Sequence, residues 1–355
     1  MIFLKIQLHN LTLALTALLL FVLLLIIAVL IYGYKNFQLI HNAQQWKRII
    51  EDKISYSIFN GINEIQTDEK FKALSRNKNF KKIFISVLIE SDQRFVGDAH
   101  KILKEIFYMF HLDDLAWSKL QSNNIYQNVR GIQVMTAMNI PDAINKITHH
   151  LNHKNPYVYS EAQYSVVRFN GFKGLKFLDT LDKPLSQWQQ MRLNQAIKTV
   201  SEPDYDSIAL WLESLNLSVI SFALSLIRKF RIHTLHDNVA RLLSHQSVDI
   251  RINSIKTLQT IESTDTLGFL LDCFNQQEDL VKVEILKFID RAGNRNHNSF
   301  LKTILENEYD IYIQIETVNL LKKYKEYDYL QLKSNDSSID PKLRKVLQNA
   351  LSKQL

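Results

Sequence analysis

The chain of 355 residues has one cysteine, eight glycines and five prolines. One cysteine excludes an intramolecular disulfide and a zinc site built from four cysteines. So few glycines and prolines do not supply the turns of a β-sandwich or a β-barrel. Hydrophobic residues make up 46% and charged residues 22% of the chain, which excludes wholesale disorder. The composition therefore predicts an all-α protein.

Catalytic motifs are also lacking. The sequence contains no P-loop, no Gly-x-Gly-x-x-Gly and no Gly-x-Ser-x-Gly. Cys273 lies in an apolar stretch without a neighbouring cation that would lower its pKa, so we expect a buried thiol and not a nucleophile. We expect no catalytic residue, no cofactor and no metal site, and hence no enzyme.

Two groups of polar residues are the nearest approach to a reactive site. His149 and His153 are four residues apart, so on a helix they share a face and could bind a metal ion. No third ligand follows from the sequence, and we interpret them as exposed residues at a helix end. His111 precedes Asp113 and Asp114, but nothing in the sequence fixes their geometry as a hydrolytic site.

A long apolar segment stands near the start of the chain. Residues 11–32 carry no charge, and a helix of 22 residues rises about 33 Å, enough to cross a hydrocarbon core of about 30 Å. Tyr32, Tyr34 and Phe37 follow it, as in an interfacial aromatic belt. The segment is too long for the apolar part of a signal peptide and lacks a small-residue cleavage site. We predict a tail at 1–10 and an uncleaved transmembrane helix at 11–34.

The charges beside this segment predict its orientation. Lys35, Lys47 and Arg48 follow it before the first acidic residue, Glu51. Positive charges accumulate on the cytoplasmic side of membrane helices. The sequence therefore predicts a single-pass protein of the inner (cytoplasmic) membrane with its soluble part in the cytoplasm.

The rest of the chain has helical apolar spacing and an internal repeat. Residues 35–94 show no repeat and are interpreted as a helical linker and N-terminal cap. From residue 95 to 355, aliphatic positions at the start of a second helix recur at intervals of 29, 33, 28, 31, 31, 32 and 30 residues. These positions are Val129, Val158, Met191, Val219, Ile250, Val281, Ile313 and Leu343.

Two of these segments carry a recognisable motif. Asn155-Pro156-Tyr157-Val158 continues to Ala162, and Asp340-Pro341-Lys342-Leu343-Arg344 has the same beginning. Both are similar to the Asp-Pro-x-Val-Arg-x-x-Ala pattern of short bacterial HEAT repeats of the lyase-like type. The resemblance covers about residues 95 to 352. It implies a right-handed α-solenoid of HEAT-like helix pairs, preceded here by the single transmembrane helix.

The resemblance also suggests roles for two sets of residues. In HEAT proteins, the basic residue after the aliphatic position commonly bonds to the adjacent repeat and forms a structural ladder. Here those residues are Arg130, Arg192, Arg251, Lys282 and Arg344. A second set of aromatic residues is predicted to line a concave groove: Tyr157, Tyr159, Tyr164 and Trp188.

Three functions stay open at this point. The first is a membrane-anchored scaffold or adaptor that binds a membrane-associated protein, and the resemblance suggests an envelope or polysaccharide-synthesis component. The second is a regulator that binds a ligand or nucleic acid. The net charge is +7, but residues 231–355 carry 17 basic and 17 acidic residues, which disfavours nucleic acid. The third is a HEAT-like enzyme of the bilin lyase or alkylpurine DNA glycosylase type.

Overall fold

The computed structural model describes residues 2–95, 97, 99–292, 297–307 and 310–352. Within these ranges the regular elements are α-helices and short 3-10 helices, with no strand, so the all-α prediction is confirmed. Residues 1, 96, 98, 293–296, 308–309 and 353–355 lie outside the described residues. Residue 1 belongs to the predicted tail, and the others belong to the predicted repeat region. The chain forms two compact units, Met1–Ser165 and Val166–Leu355.

The first unit begins with one helix of 59 residues, α1. The helices up to the boundary between the units are α1 Ile2–Asn60, α2 Asn63–Thr67, α3 Glu69–Ser75, α4 Lys78–Arg94, α5 Ala99–Met109, α6 Leu112–Leu120, α7 Ile125–Ala137, α8 Ile144–Thr148 and α9 Pro156–Asn170.

Helix α1 joins the apolar segment to the core of the first unit without a break. Its part Leu15–Tyr34 is long and apolar enough to cross a membrane, and none of that window is buried. Farther along the same helix, Ile50 and Ile54 are fully buried. The predicted tail, apolar helix and start of the linker are therefore parts of one rod. Residues 35–45 between the apolar part and Trp46 add about 16 Å of helix.

A cluster of aromatic rings forms the core beside the end of α1. Phe71 lies 5.5, 5.4 and 5.3 Å, between ring centroids, from Phe80, Phe84 and Phe110. Trp46 of α1 meets Phe80 edge to face at 5.7 Å. Edge-to-face pairs add to the energy of burial, so this phenylalanine cluster fixes α1 against α3, α4 and α5.

The second unit consists of shorter, paired helices. They are α10 Gln187–Ala196, α11 Tyr205–Leu212, α12 Leu217–Phe230, α13 His236–Arg241, α14 Val248–Leu258, α15 Thr266–Cys273, α16 Asp279–Ala292, α17 Asn298–Asn307, α18 Ile311–Lys323, α19 Tyr327–Asn335 and α20 Pro341–Ser352.

Two kinds of contact build this unit. Neighbours in sequence pack as pairs: α11 with α12, α13 with α14, α17 with α18, and α19 with α20. The second helix of each pair also contacts the second helix of the next, so that α12, α14, α16, α18 and α20 form one row. Each pair thus buries its apolar side against its neighbours, as helix pairs in repeat proteins do.

The capping residue before each second helix recurs more regularly than the aliphatic positions. These residues are Asn124, Asn155, Ser186, Asn216, Ser247, Glu278, Asp310 and Asp340, at intervals of 31, 31, 30, 31, 31, 32 and 30 residues. Six of the eight side chains accept a hydrogen bond from a backbone N–H in the first turn of the helix that follows. Such caps satisfy donors that the helix itself leaves open.

Counted from these caps, two of the predicted aliphatic positions lie out of register. Val129 and Met191 are the fifth residues of α7 and α10, whereas the other six are the third residues of their helices. Met191 is half exposed, while Val219 and Ile250 are buried. The physical reason is that the cap, and not the aliphatic-basic pair, sets where each helix begins.

Candidate functional site

The five residues of the predicted ladder occupy two positions in the repeat. Three follow their cap by four residues and two by six: Arg251, Lys282 and Arg344 in the first group, Arg130 and Arg192 in the second. Arg344 Nη2 donates to the carbonyl of Asp336 in the preceding turn at 2.9 Å. The five residues therefore do not hold one equivalent position in the repeat.

Arg251 makes the contact that most resembles a ladder step. It is 9% exposed, and its Nη1 donates to the carbonyl of His245 at 3.0 Å. Its Nη2 forms an ion pair with Glu278, the residue before the next second helix, α16. Lys282 Nζ lies 5.7 Å from the ring centroid of Phe274. Arg251 thus links two successive repeats, and Lys282 lies against an aromatic ring.

The other two ladder residues contact different groups again. Arg130 Nη2 donates to Ser86 Oγ of α4 at 2.8 Å. The guanidinium of Arg192 lies 4.6 Å from the ring centroid of Trp188, one turn earlier in the same helix, α10. A common ladder through all five residues stays a prediction.

A second set of cations, which the sequence did not reveal, lies near the other end of the second helices. Lys229 Nζ donates to the carbonyls of Asn194 and Ile197, at the end of α10, the latter at 2.8 Å. Lys323 Nζ pairs with Asp290 Oδ1 at 2.6 Å and donates to its carbonyl. Cations are favoured at helix C-termini, where carbonyls lack partners. Burial lowers the pKa of Lys229, whereas the hydrogen bond to Asp290 raises that of Lys323.

The predicted aromatic set is divided by its exposure. Tyr157 and Trp188 are 74% and 57% exposed, whereas Tyr159 and Tyr164 are partly buried and interact with neighbours. Tyr157 lines a surface groove of the first unit, of about 700 Å³, together with Tyr126. Trp188 belongs to the second unit. The predicted groove of four residues stays a prediction, and the groove described in the first unit pairs Tyr157 with Tyr126, which the prediction did not include.

Exposed apolar residues recur two positions after the caps. Tyr126, Tyr157, Trp188, Leu280 and Tyr312 all hold this position, and each is at least 57% exposed. Four of the eight positions are aromatic, where the overall content of 10% would give about one. We call these five residues, two in the first unit and three in the second, the aromatic column, a name that refers only to their shared position in the repeat. Counting residue positions from the caps would have revealed this recurrence in the sequence alone.

One group of described residues could hold a metal ion by distance alone. Ligand atoms of His111, Asp113 and Asp114 lie within 4.8 Å of one another. The two aspartates lie in the first turn of α6, where acidic side chains interact favourably with the helix dipole. Lys81 Nζ donates to the carbonyl of His111 at 3.1 Å. Burial, followed by the charge of Asp113, raises the pKa of the nearby Tyr108. The helix dipole favours the two aspartates at this position, but His111, the residue before α6, makes no side-chain capping bond, and the buried Oδ1 of Asp113 has no hydrogen-bond partner among the described residues.

The histidines after α8 serve the local backbone. His149 Nδ1 is hydrogen-bonded to the carbonyl of Asn145 at 2.7 Å. His153 Nδ1 accepts from the backbone N–H of Asn155 at 3.0 Å, just before α9. Between them, His150 is partly buried, and burial is the main cause of its lowered pKa. The Nδ1 atoms of His149 and His153 thus both bond to the local backbone.

Cys273 lies at the end of α15 and is partly exposed. Its Sγ donates to the carbonyl of Leu270 at 3.4 Å. Burial raises the pKa of the thiol, which lowers the fraction of thiolate and so its nucleophilicity.

Comparison with known proteins finds no matching protein family and no matching curated protein. Among solved structures, an engineered protein crystallised by the Northeast Structural Genomics Consortium is similar to this chain, with a TM-score of 0.36 and 13% sequence identity. The similarity covers 87% of this chain and 95% of that protein.

Proposed function

We propose that this chain is a membrane-anchored scaffold that binds a protein partner through the aromatic column. The observation that carries the proposal is the recurrence of exposed Tyr and Trp side chains at one position of a repeat of about 31 residues. Tyr and Trp are enriched at the energetic centres of protein interfaces because they bury much area at a small entropic cost.

The proposal includes a HEAT-like solenoid as the architecture. The near-constant interval between caps and the row of second helices in the second unit support it. In such an array the repeats of one unit present the same edge, so that within a unit one residue position recurs on one surface. Repeat proteins use extended surfaces of this kind to bind their partners.

The membrane anchor is the second part of the proposal. The exposed apolar segment Leu15–Tyr34 supports it, because an unburied run of this length is costly in water. The positive charges that follow favour a cytoplasmic location of both units at the inner membrane. A membrane-associated partner, such as an envelope or polysaccharide-synthesis component, fits this location.

Cysteine labelling tests the orientation. In a Cys273→Ser background, Ser55→Cys places one thiol on an exposed position of α1 beyond the apolar segment. We expect a membrane-impermeant maleimide to label it only after the cells are opened. Labelling in intact cells would place the units outside the cytoplasm and contradict that part of the proposal.

Co-purification tests the scaffold. The tagged full-length chain is isolated from native membranes beside a variant carrying Trp188→Ser and Tyr312→Ser, whose exposed side chains contribute little to folding. We expect a membrane protein that is enriched with the wild type and lost with the variant. Identical protein sets from both, at equal thermal stability, would refute the aromatic column as the binding surface.

A further inference from the structure

The groove between Tyr126 and Tyr157 has the chemical character of a site for one kind of peptide. It is the part of the aromatic column where two consecutive repeats, those of α7 and α9, enclose a groove within one unit. Its lining residues are Asn123, Asn124, Ile125, Tyr126, Val129 and Tyr157. None of them is charged, although 22% of the chain is.

The groove offers hydrogen-bond donors on an apolar floor. Within the described part of the chain, the hydroxyls of Tyr126 and Tyr157 have no hydrogen-bond partner. Asn124 Oδ1 accepts from the backbone N–H of Gln127 at 3.1 Å, which leaves the amide Nδ2 as the free end of that side chain. The first backbone N–H groups of α7 lie at the same edge, and a helix has no internal acceptor for them.

The occupant that complements such a groove is uncharged, apolar and rich in acceptors. An acidic or basic segment would lose hydration in the groove without meeting an opposite charge. A proline-rich segment carries no charge, presents apolar rings, and has carbonyls free because its polyproline II conformation makes no internal hydrogen bonds. Grooves lined by aromatic rings bind such segments at a low entropic cost.

We propose that the groove between Tyr126 and Tyr157 binds a proline-rich segment of the partner protein in the polyproline II conformation. The two tyrosine rings pack against proline rings, and their hydroxyls donate to the carbonyls of the segment. This inference rests on the proposed scaffold function and names the kind of segment that one part of the column recognises.

A direct titration tests the inference. Fluorescein-labelled decaproline is titrated with the full-length chain in detergent micelles and followed by fluorescence anisotropy. We expect saturable binding that is at least tenfold weaker in a variant carrying Tyr126→Ser and Tyr157→Ser. The matched control is Phe59→Ser, which removes an exposed aromatic residue of the same unit outside the column, and it should change the affinity less than twofold.

Two further probes separate the alternatives. A labelled glycine-serine decamer reports non-specific binding, and a labelled decaglutamate reports attraction to the net charge of +7. Decaproline binding no tighter than the glycine-serine decamer overturns the inference, and so does binding that survives loss of both tyrosines. Preferential binding of decaglutamate that is lost in the variant carrying Tyr126→Ser and Tyr157→Ser also overturns it, because the groove would then select charge.

The inference and the proposed function can fail separately. If the co-purified partner depends on Trp188 and Tyr312 while decaproline fails to bind, the scaffold stands and the proline-rich segment is wrong. If decaproline binds through the two tyrosines but no membrane protein co-purifies, the groove recognises such segments and the membrane scaffold is wrong.

Discussion

The region around the end of α1 and the row of second helices achieve stability in different ways. In the first region, Phe71 of α3 meets Phe80 and Phe84 of α4 and Phe110, which follows α5, while Trp46 of α1 meets Phe80. In the second unit, medium aliphatic side chains such as Val219, Ile250 and Val281 are each buried between neighbouring helices. The cluster concentrates stability at one point, whereas the row spreads it over many similar contacts.

This difference matters for a chain whose apolar segment continues into one of the two regions. Because α1 is one continuous helix, its apolar part is joined directly to residues that are buried in the first unit. The phenylalanine cluster packs beside the end of α1, whereas the row of second helices distributes its contacts over several helices. Substitutions in the two regions should therefore differ in size.

The largest effect is expected in the cluster. Phe71 is 1% exposed and touches three other phenylalanine rings, so Phe71→Ala should lower the free energy of unfolding by about 3–5 kcal/mol. Urea unfolding of the full chain in detergent micelles, followed by circular dichroism, measures it. Phe59→Ala, at a 78% exposed position of α1, is the control and should stay within about 0.5 kcal/mol of the wild type. Equal losses of unfolding free energy in both variants would contradict a larger contribution of the cluster to stability.

The second largest loss of stability is expected from substitution of a glycine in α7. A Cβ on Gly131 would lie 2.5 Å from Leu120 Cα, in the backbone at the end of α6. Gly131→Ala therefore forces α6 and α7 apart and should cost about 1–3 kcal/mol. The matched control is Gly268→Ala in α15, where a Cβ meets nothing within 4 Å and the helix gains propensity. A stable Gly131→Ala variant would show that the pair is not packed through its backbone.

Two caps of the second unit differ in a way that tests the repeat. Asn216 Oδ1 accepts from the N–H of Ser218 at 3.1 Å, and its Nδ2 donates to the carbonyls of Leu181 and Lys183 at 3.1 and 3.0 Å. Ser247 holds the equivalent position without a side-chain capping bond. We expect Asn216→Ala to cost about 1–2 kcal/mol and Ser247→Ala less than about 0.5 kcal/mol. Thermal unfolding of the two variants side by side measures the difference, and equal midpoints would refute the role of the cap.

The smallest expected effect is on the way stability declines with falling pH. Burial, then the charges of His153 and His149, lowers the pKa of His150 below its ordinary 6.5. As the pH falls, the unfolded chain therefore protonates His150 at a higher pH than the folded chain does. The stability that comes from keeping His150 neutral is complete above about pH 6.5 and is lost as the pH falls below that value. His150→Asn should flatten the decline of stability between about pH 7.5 and 5. An unchanged slope in the variant would show that this group does not contribute.

The sequence predicts the broad features because they depend on composition and spacing. Few glycines and prolines predict helices, and the uncharged run predicts the apolar segment at residues 11–34. The row of second helices follows from the aliphatic interval near 31 residues. Each of these features repeats or extends over many residues, so that single exceptions do not hide it.

The finer features depend on where each helix starts and on what it meets. Val129 and Met191 are each followed by a basic residue, as the aliphatic positions of the other repeats often are. The caps of their helices, Asn124 and Ser186, nevertheless lie two residues farther upstream than in the other repeats. Counting from the caps also gives Tyr126 the same repeat position as Tyr157. The contacts of Lys229 join residues more than 30 positions apart, and no local pattern encodes such partners.

The most direct test of the central claim is site-specific photocrosslinking in native membranes. Benzoylphenylalanine replaces Tyr157 in the aromatic column and, in a separate variant, Phe59, an exposed aromatic residue of the same unit outside the column. Mass spectrometry identifies the crosslinked molecules. We expect position 157 to crosslink one defined membrane-associated protein that position 59 does not reach. Crosslinks from position 157 to lipid alone, or to the same proteins as position 59, would contradict the claim that the column binds a protein partner.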